Sequence, residues 1–203
     1  MFAMLGLLSG CGPKPVSTSA TIHFETSTPE EMALAGSILK ARFDELTPTY
    51  FSSFTVVVHE KDIVLEFRGV APADEVIREY ASQGIFRIYA ADSRLIWLVT
   101  DRDVQRVNAL ASENGFVLDM SVNESAGQRL QTYTSRNVGR VLVTSWNGKE
   151  QSRATVQGVF SRQFQTTGLD RETALRMRIM LESGRLPMAV REIDLVHPAS
   201  ATG

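Results

Sequence analysis

The sequence predicts an α+β protein in which two helices cover one face of an antiparallel sheet. Residues 21–90 alternate between β-rich and helical segments in the order β-α-β-β-α-β. Each of the two helical segments carries one apolar stripe and needs a sheet face to bury it. This order of elements is typical of a ferredoxin-like antiparallel sandwich.

The first helix has the clearest local signals in this region. Residues 21–26 alternate in polarity and predict a strand just before it. Thr28 can cap the helix, Pro29 suits its first position, and Glu31 completes a capping box. The apolar residues that come next recur at helical spacing: Met32, Ala35, Ile38, Leu39, Phe43 and Leu46.

A hairpin, a second helix and a strand complete the pattern. Residues 54–59 and 62–67 are β-rich runs joined by two residues, which predicts a hairpin. Pro72 opens the second helix, and Gly84 ends it at a position that favours a left-handed backbone. Residues 85–90 predict the closing strand.

The second half of the chain predicts further strands and helices. Strands are expected at 95–99, 116–122 and 188–196, with a short extended segment at 164–167. Residues 141–145 and 153–159 should form a hairpin, because Asn147-Gly148 favours a type I′ turn. Thr100 should cap a helix that ends near Gly115. Two further helices should begin at the caps Asn123 and Asp170.

Composition bounds the class of protein without selecting a partner. The chain has 203 residues, 43% of them hydrophobic, and a net charge of −2. Up to Glu124 there are 10 Lys and Arg against 17 Asp and Glu, and after it 11 against 6. This asymmetry either reflects differently solvated faces or marks a basic C-terminal part that meets an acidic partner or anionic headgroups.

The amino terminus predicts a lipid anchor. Residues 2–8 are apolar, and Leu8-Ser9-Gly10-Cys11 resembles a bacterial lipobox, in which Cys11 is lipidated after cleavage of residues 1–10. Residues 11–20 contain Pro, Ser and Thr and predict a flexible tether, while residues 199–203 predict a loose tail. We expect a lipid-anchored envelope protein on the inner or outer membrane, facing the periplasm or the cell exterior.

The sequence contains no recognisable catalytic motif. It lacks a nucleophile elbow, a phosphate loop and a dinucleotide fingerprint. The single cysteine excludes an internal disulfide, and His23, His59 and His197 are isolated along the chain. Basic residues are not interleaved with aromatic ones as in a nucleic-acid groove. We therefore expect a non-enzymatic protein with no cofactor, no metal and no nucleic-acid partner.

Several motifs together resemble the large periplasmic domain of SecD. They are Val138-Gly139-Arg140 before the predicted hairpin, Asn147-Gly148-Lys149 at its tip, Ser152-Arg153-Ala154 after it, the run 167–174 that enters the last helix, and Ser183-Gly184-Arg185-Leu186-Pro187 that ends it. Residues 38–42 and 63–69 resemble that family's first helix and a strand end. The resemblance covers residues 21–197.

The resemblance implies a two-part domain. A ferredoxin-like base would comprise residues 21–90 and 188–197, and a head subdomain of residues 91–187 would be inserted before the last strand. In the family this domain stands above the translocon, is thought to capture emerging preproteins, and has a head that moves relative to the base. Arg68-Gly69 replaces the family's Pro-Gly, and Ala154-Thr155 replaces its Ala-Pro.

The resemblance also sets two functional hypotheses. The family's six membrane helices have no counterpart in these 203 residues, so we expect no proton-driven motor activity from this chain alone. One hypothesis is a membrane-anchored module that binds unfolded polypeptide or the SecYEG/SecDF translocon. The other is a scaffold lipoprotein of a different envelope complex. The candidate binding or hinge residues are Gly139, Arg140, Asn147, Gly148, Lys149, Gly184 and Pro187, with further hinges near Ala91 and Asp92.

Overall fold

The chain folds into antiparallel sheets and helices joined mostly by short connections. The computed structural model describes residues 17–47, 51 and 53–197. The elements are β1 (Ser17–Phe24), α1 (Pro29–Asp44), β2 (Ser53–Val58), β3 (Asp62–Arg68), α2 (Asp74–Tyr80), β4 (Phe86–Ala90), β5 (Ser93–Thr100), a 3-10 turn (Asp101–Asp103), β6 (Val104–Ser112), β7 (Gly115–Val122), α3 (Glu124–Thr134), β8 (Val141–Trp146), β9 (Lys149–Thr155), β10 (Gln163–Leu169), α4 (Arg171–Ser183) and β11 (Val190–Val196). Cys11 and the predicted tail lie outside the described residues.

The local capping signals operate as the sequence predicts. Thr28 accepts a hydrogen bond from the Glu31 N–H, and the Glu31 carboxylate accepts one from the Thr28 N–H, which completes the capping box of α1. Asn123 caps α3 and Asp170 caps α4 through their side-chain oxygens. Each cap satisfies N–H groups that the first helical turn leaves without partners.

The base sheet has the strand order β11-β1-β3-β2, and every neighbouring pair is antiparallel. This is the order of a ferredoxin-like sheet, with β11 in the position of the fourth strand. One sheet face is buried under α1, as the alternating burial of β1 and β3 shows. Rings of Phe43, Phe51, Phe54 and Phe67 pack there with centroids 5.2–6.3 Å apart.

The strand that the sequence places at the end of the base lies in a different sheet. β4 pairs with β5 and β8 in a sheet of order β5-β4-β8-β9, so the expectation that residues 85–90 close the base is wrong. The connection 91–92 is consequently a turn within that sheet, between β4 and β5, and not a crossing between base and head. Strand pairing decided this, because β11 occupies the edge of β1 that β4 would need.

The helix expected between Thr100 and Gly115 is also absent. The capping box at Thr100 and Asp103 forms, but it caps only a single 3-10 turn. The chain then continues as β6, which forms a hairpin with β7 through the turn before Gly115. Val107 is buried in the core. Successive side chains of a strand point to opposite faces, so β6 can place Val107 on the face that meets the core. β10 completes this sheet in the order β10-β7-β6.

A continuous hydrophobic core joins the three sheets. α4 packs against β6 and β7 on one side and against α1 on the other. Met177 and Met180 of α4 are buried within this core, together with Leu39 of α1 and Leu118 of β7. No helix within the described part of the chain is long and apolar enough to cross a membrane.

His23 links three strands on the open face of the base sheet. Its Nδ1 lies 2.6 Å from a carboxylate oxygen of Asp62 on β3, and its Nε2 lies 3.1 Å from one of Asp194 on β11. The hydrogen bond with Asp62, with a further contribution from Asp194, raises the pKa of His23 above its usual 6.5. Protonated His23 therefore connects both neighbouring strands to β1.

This arrangement predicts a pH dependence of stability. A pKa raised by folding contributes stability that is complete below the unfolded value and is lost as the pH rises through the folded value. We expect the free energy of unfolding, measured with urea, to fall as the pH rises above the ordinary histidine pKa of 6.5. The variant His23→Gln should flatten that fall, whereas His59→Gln, which changes a histidine outside this cluster, should retain it. An unchanged slope in His23→Gln would contradict the assignment.

Candidate functional site: the junction between base and head

Two segments of chain cross between the base and the remaining sheets. Residues 81–85 lead from α2 to β4, and residues 184–189 lead from α4 to β11. The two crossings lie side by side, because the N–H of Leu186 donates to the carbonyl of Gln83 at 2.9 Å. These two segments therefore join the base sheet to the other two sheets.

A single buried arginine holds both crossings. Arg42 of α1 is completely inaccessible to solvent. Its Nη1 donates to the carbonyls of Tyr80 at 2.9 Å and Ser82 at 2.7 Å, its Nη2 donates to the carbonyl of Gly184 at 2.6 Å, and its Nε donates to Ser183 Oγ at 3.2 Å. The rigid fork of the guanidinium suits this role, because it directs several donors in fixed directions from one side chain.

The electrostatics of Arg42 are unusual for a buried cation. Its hydrogen-bond acceptors are carbonyl and hydroxyl oxygens, and burial lowers its pKa to about 9. The group is therefore still charged at neutral pH, and the dipoles of the surrounding oxygens compensate for its lost hydration. Gly84 makes room for it: a Cβ at that position would lie 2.8 Å from Nη2, and the backbone there has a positive φ of 84°.

The β8–β9 hairpin tip docks on the same crossing. Asn147 Oδ1 accepts hydrogen bonds from the N–H groups of Gly84 at 3.1 Å and Ile85 at 2.9 Å, and its Nδ2 donates to Ser82 Oγ at 2.8 Å. Asn147 and Gly148 both have positive φ, 46° and 79°, which confirms the predicted turn geometry. Asn147 thus fastens the β5-β4-β8-β9 sheet to the residues that Arg42 holds from the other side.

Two ion pairs of α4 add further contacts beside the junction. Arg178 lies 2.8 Å from Glu45 at the end of α1, and Arg176 lies 3.0 Å from Glu79 of α2. Burial raises the pKa of Glu79, and Arg176 opposes that shift. Both pairs connect α4 to base helices, so α4 is fastened to the base as well as to β6 and β7.

The structure divides the sequence-predicted site residues into two groups. Asn147 and Gly184 lie in the junction, Gly148 and Lys149 complete the hairpin tip, and Pro187 lines a shallow cavity of about 250 Å³ beside Gly184. Gly139 and Arg140 lie at the opposite end of the hairpin, where both bond to Val156. Their roles in binding or hinging remain predictions.

Sequence reasoning missed Arg42, although one signal marks it. The residue lies on the apolar stripe of α1, one turn after Ile38 and next to Phe43. A charged residue on a stripe that must face the core needs compensating partners. The partners themselves are the backbone carbonyls of residues 80, 82 and 184 and the hydroxyl of Ser183, and no pattern in the sequence identifies them.

The head carries a separate apolar groove between β5 and α3. It has a volume of about 500 Å³, and its walls include Ile96 and Trp97 on β5 and Tyr133 and Arg136 on the α3 side. Ile96 is 50% exposed and Trp97 46% exposed. The Arg87 guanidinium lies 3.9 Å from the centre of the Trp97 ring, a cation–π contact. Burial raises the pKa of the Tyr133 hydroxyl.

The described residues contain no cluster of three or more His, Cys, Asp or Glu that could hold a metal ion. His23 bonds to Asp62 and Asp194, and His197 lies 3.1 Å from Asp74. The carboxylates Asp101 and Asp103 belong to the 3-10 turn. Asp103 accepts a hydrogen bond from the N–H of Thr100, the cap residue, and forms an ion pair with Arg129 at 2.7 Å.

Solved structures with a similar arrangement identify the class of domain. A crystal structure of SecDF in a super-membrane-facing form superimposes with a TM-score of 0.68 at 18% identity, covering 90% of this chain and 30% of that one. A structure of SecDF, described as a membrane component that enhances protein export, gives 0.64 at 17% identity, covering 87% and 99%. The fold is that of a SecDF periplasmic domain, and the chain spans about 30% of the length of the first relative.

A family model gives the assignment its residue range. The model described as SecDF, P1 head subdomain, matches residues 79–188. This chain belongs to that family. The match begins at the end of α2 and ends in the second crossing. It therefore contains β4, which pairs with β5 and β8, and it also contains α4. Among curated proteins, no sequence matches the chain.

The junction predicts a specific loss of stability. In Arg42→Leu the buried carbonyl of Tyr80 and the half-buried carbonyls of Ser82 and Gly184 lose their donor, which should lower the free energy of unfolding by about 3 kcal/mol. Lys40→Leu is the matched control, because it removes an exposed cation of α1 and should cost less than about 1 kcal/mol. Urea unfolding monitored by circular dichroism measures both. Equal losses would contradict the central role of Arg42.

Proposed function

We propose that this chain is a non-enzymatic, lipid-anchored SecD-like domain of the bacterial cell envelope that binds unfolded polypeptide during protein secretion. The observation that carries the proposal is the match of residues 79–188 to the SecDF P1 head family. One structural relative is described as a component that enhances protein export, which motivates the choice of polypeptide as client. The division into a base and a head, with the first crossing at 81–85, is part of this proposal.

The head groove supports a role in binding apolar segments. Ile96 and Trp97 expose about half of their surface beside a cavity large enough for side chains of a client. Exposed apolar residues grouped around a concave surface are typical of binding sites. Arg136 at the groove rim and Arg87 over Trp97 supply donors for the backbone carbonyls and carboxylates of a bound chain.

The base supports a membrane-proximal orientation. β1 begins at Ser17 and β11 ends at Val196, and the pairing of Ser19 with Val196 brings both termini to the same end of the base strands. Ser17 lies six positions after Cys11, so a lipid on Cys11 would hold that end of the base within about 20 Å of the bilayer surface. This geometry is the same for an anchor in the inner or the outer membrane.

Client binding is tested with an apolar groove variant. A fluorescently labelled, permanently unfolded polypeptide should bind the chain in an anisotropy titration, and Ile96→Asp should weaken binding by about tenfold. Val159→Asp places the same charge on a similarly exposed valine outside the groove and should leave the affinity unchanged. Absence of binding at high micromolar concentration would overturn the polypeptide-binding function.

The anchor and the choice of complex are tested together. The intact protein should fractionate with membranes, incorporate labelled fatty acid and, after affinity purification, recover SecYEG, SecDF or preproteins. Cys11→Ser should lose both the fatty acid and the membrane fractionation. Recovery of a different envelope complex would favour the scaffold function, in which the SecDF fold is reused without secretion activity.

A further inference from the structure

The outer edge of β2 is a free β-strand edge of the base sheet. Within the described residues, β2 pairs with β3 alone and is the last strand of its sheet. The hairpin closes with the N–H of His59 donating to the carbonyl of Asp62. Hydrogen-bonded pairs alternate along an antiparallel ladder. The N–H and C=O groups of Phe54, Val56 and Val58 therefore point away from β3, toward the free edge of the sheet.

The other edge of the base sheet is blocked. Arg78 of α2 donates to the carbonyl of Ile193 on β11 at 2.8 Å, which occupies an acceptor that a new strand would need. β11 also carries three charged residues: Arg191, Glu192 and Asp194. Charged residues and capping side chains are the usual means by which proteins prevent unwanted strand addition.

The edges of the head sheets are protected in similar ways. Arg129 donates to the carbonyl of Leu98 on the outer strand β5, and the outer strand β9 carries Lys149, Glu150 and Arg153. β6 carries Arg106, and β10 is interrupted by a register shift after Thr166. β2 has no charged residue, and its Val57 and Val58 are 41% and 43% exposed. It therefore differs from the protected edges.

β2 is held rigidly enough to act as a template. Gly36 lets α1 approach it closely, because a Cβ at that position would lie 2.6 Å from Val58 Cγ2. At the other end of the strand, the Phe54 ring packs 6.0 Å from Phe43 and 5.5 Å from Phe51. A strand that is already ordered loses little conformational entropy when another strand joins it.

The net charge of the base favours one kind of partner. Residues 17–80 and 190–197 contain 13 Asp and Glu against 6 Lys and Arg. Near β2, Glu60 lies in the hairpin turn beside Lys61, Glu66 lies opposite Thr55, and Lys40 lies over the Phe54 ring. Two copies of this acidic surface would repel each other, which disfavours pairing of β2 with β2 of a second chain. A strand with apolar β-forming residues and Lys or Arg at its ends complements both the edge and its surroundings.

We propose that β2 accepts an extended, basic-flanked polypeptide segment as a fifth strand of the base sheet. This site is separate from the head groove and rests on the proposed function only in taking the client to be a polypeptide. The segment would donate to and accept from Phe54, Val56 and Val58, and would lay its alternate side chains beside Val57 on the open face and near α1 on the other.

The test uses a peptide of alternating valine and threonine with lysines at both ends. Amide hydrogen exchange measured by NMR should show at least roughly tenfold slower exchange at Val56 and Val58 when the peptide is bound. A version with N-methyl groups on consecutive amides should give no such protection, because the methyl groups then block both edges of the peptide strand. A version with terminal glutamates should bind at least roughly tenfold more weakly than the lysine version.

Two lysine variants locate the site. Val57→Lys and Val196→Lys place the same charge on the open face of the base sheet, at its two opposite edges. Only Val57→Lys should weaken binding of the peptide and abolish the protection of the Val56 and Val58 amides. Equal binding by wild type and Val57→Lys, with Val56 and Val58 unprotected, would overturn the β2 site and leave the polypeptide-binding function intact.

Two further outcomes are also decisive. If the wild-type chain binds neither the peptide nor an unfolded protein, the β2 site and the proposed function both fail. If Val56 and Val58 become protected as the protein concentration rises without peptide, and sedimentation shows a dimer, then the edge takes a second copy of this chain and the proposed occupant is wrong.

Discussion

The position of the head depends on one buried cation. Arg42 comes from the base, yet every acceptor that it reaches lies at or beside the two segments that leave the base. Removing a charge from water is costly, and this cost is offset only while the carbonyls of residues 80, 82 and 184 keep their places around the guanidinium. The geometry of both crossings is therefore coupled to the packing of α1 on the base sheet.

This coupling changes how the Gly184 region is understood. A glycine after a helix, with Leu-Pro close behind it, is typical of a flexible connection, and the sequence predicts a hinge there. In the structure the Gly184 carbonyl bonds to Arg42, and Leu186 bonds to the other crossing at Gln83. Rotation at this point would break hydrogen bonds in both segments at once. A head that moves must therefore either carry Arg42's partners with it or exchange them for others.

Sequence reasoning performed best where a structure is decided within a few residues. The capping box at Thr28, the caps at Asn123 and Asp170, and the Asn147-Gly148 turn are local, and all of them form. It failed where distant strands compete. The cap at Thr100 is real, but the pairing of β6 with β7 makes the next residues a strand instead of a helix. The same distinction applies to the candidate site, because the contacts of Asn147 with residues 82–85 depend on β4 pairing beside β8, which no local pattern encodes.

The topology of the chain explains why acidic and basic residues are unevenly distributed along the sequence. The excess of acidic residues in the first half of the sequence belongs largely to the base, since β11 and its crossing return the chain there only at the end. The basic residues of α4 face the acidic base helices at Glu45 and Glu79, so part of the asymmetry is neutralised inside the molecule. The acidic excess that remains belongs to the base, whose outer strand β2 carries no charged residue. Electrostatic attraction would bring a basic chain to that surface, and backbone pairing would then hold it in an extended conformation.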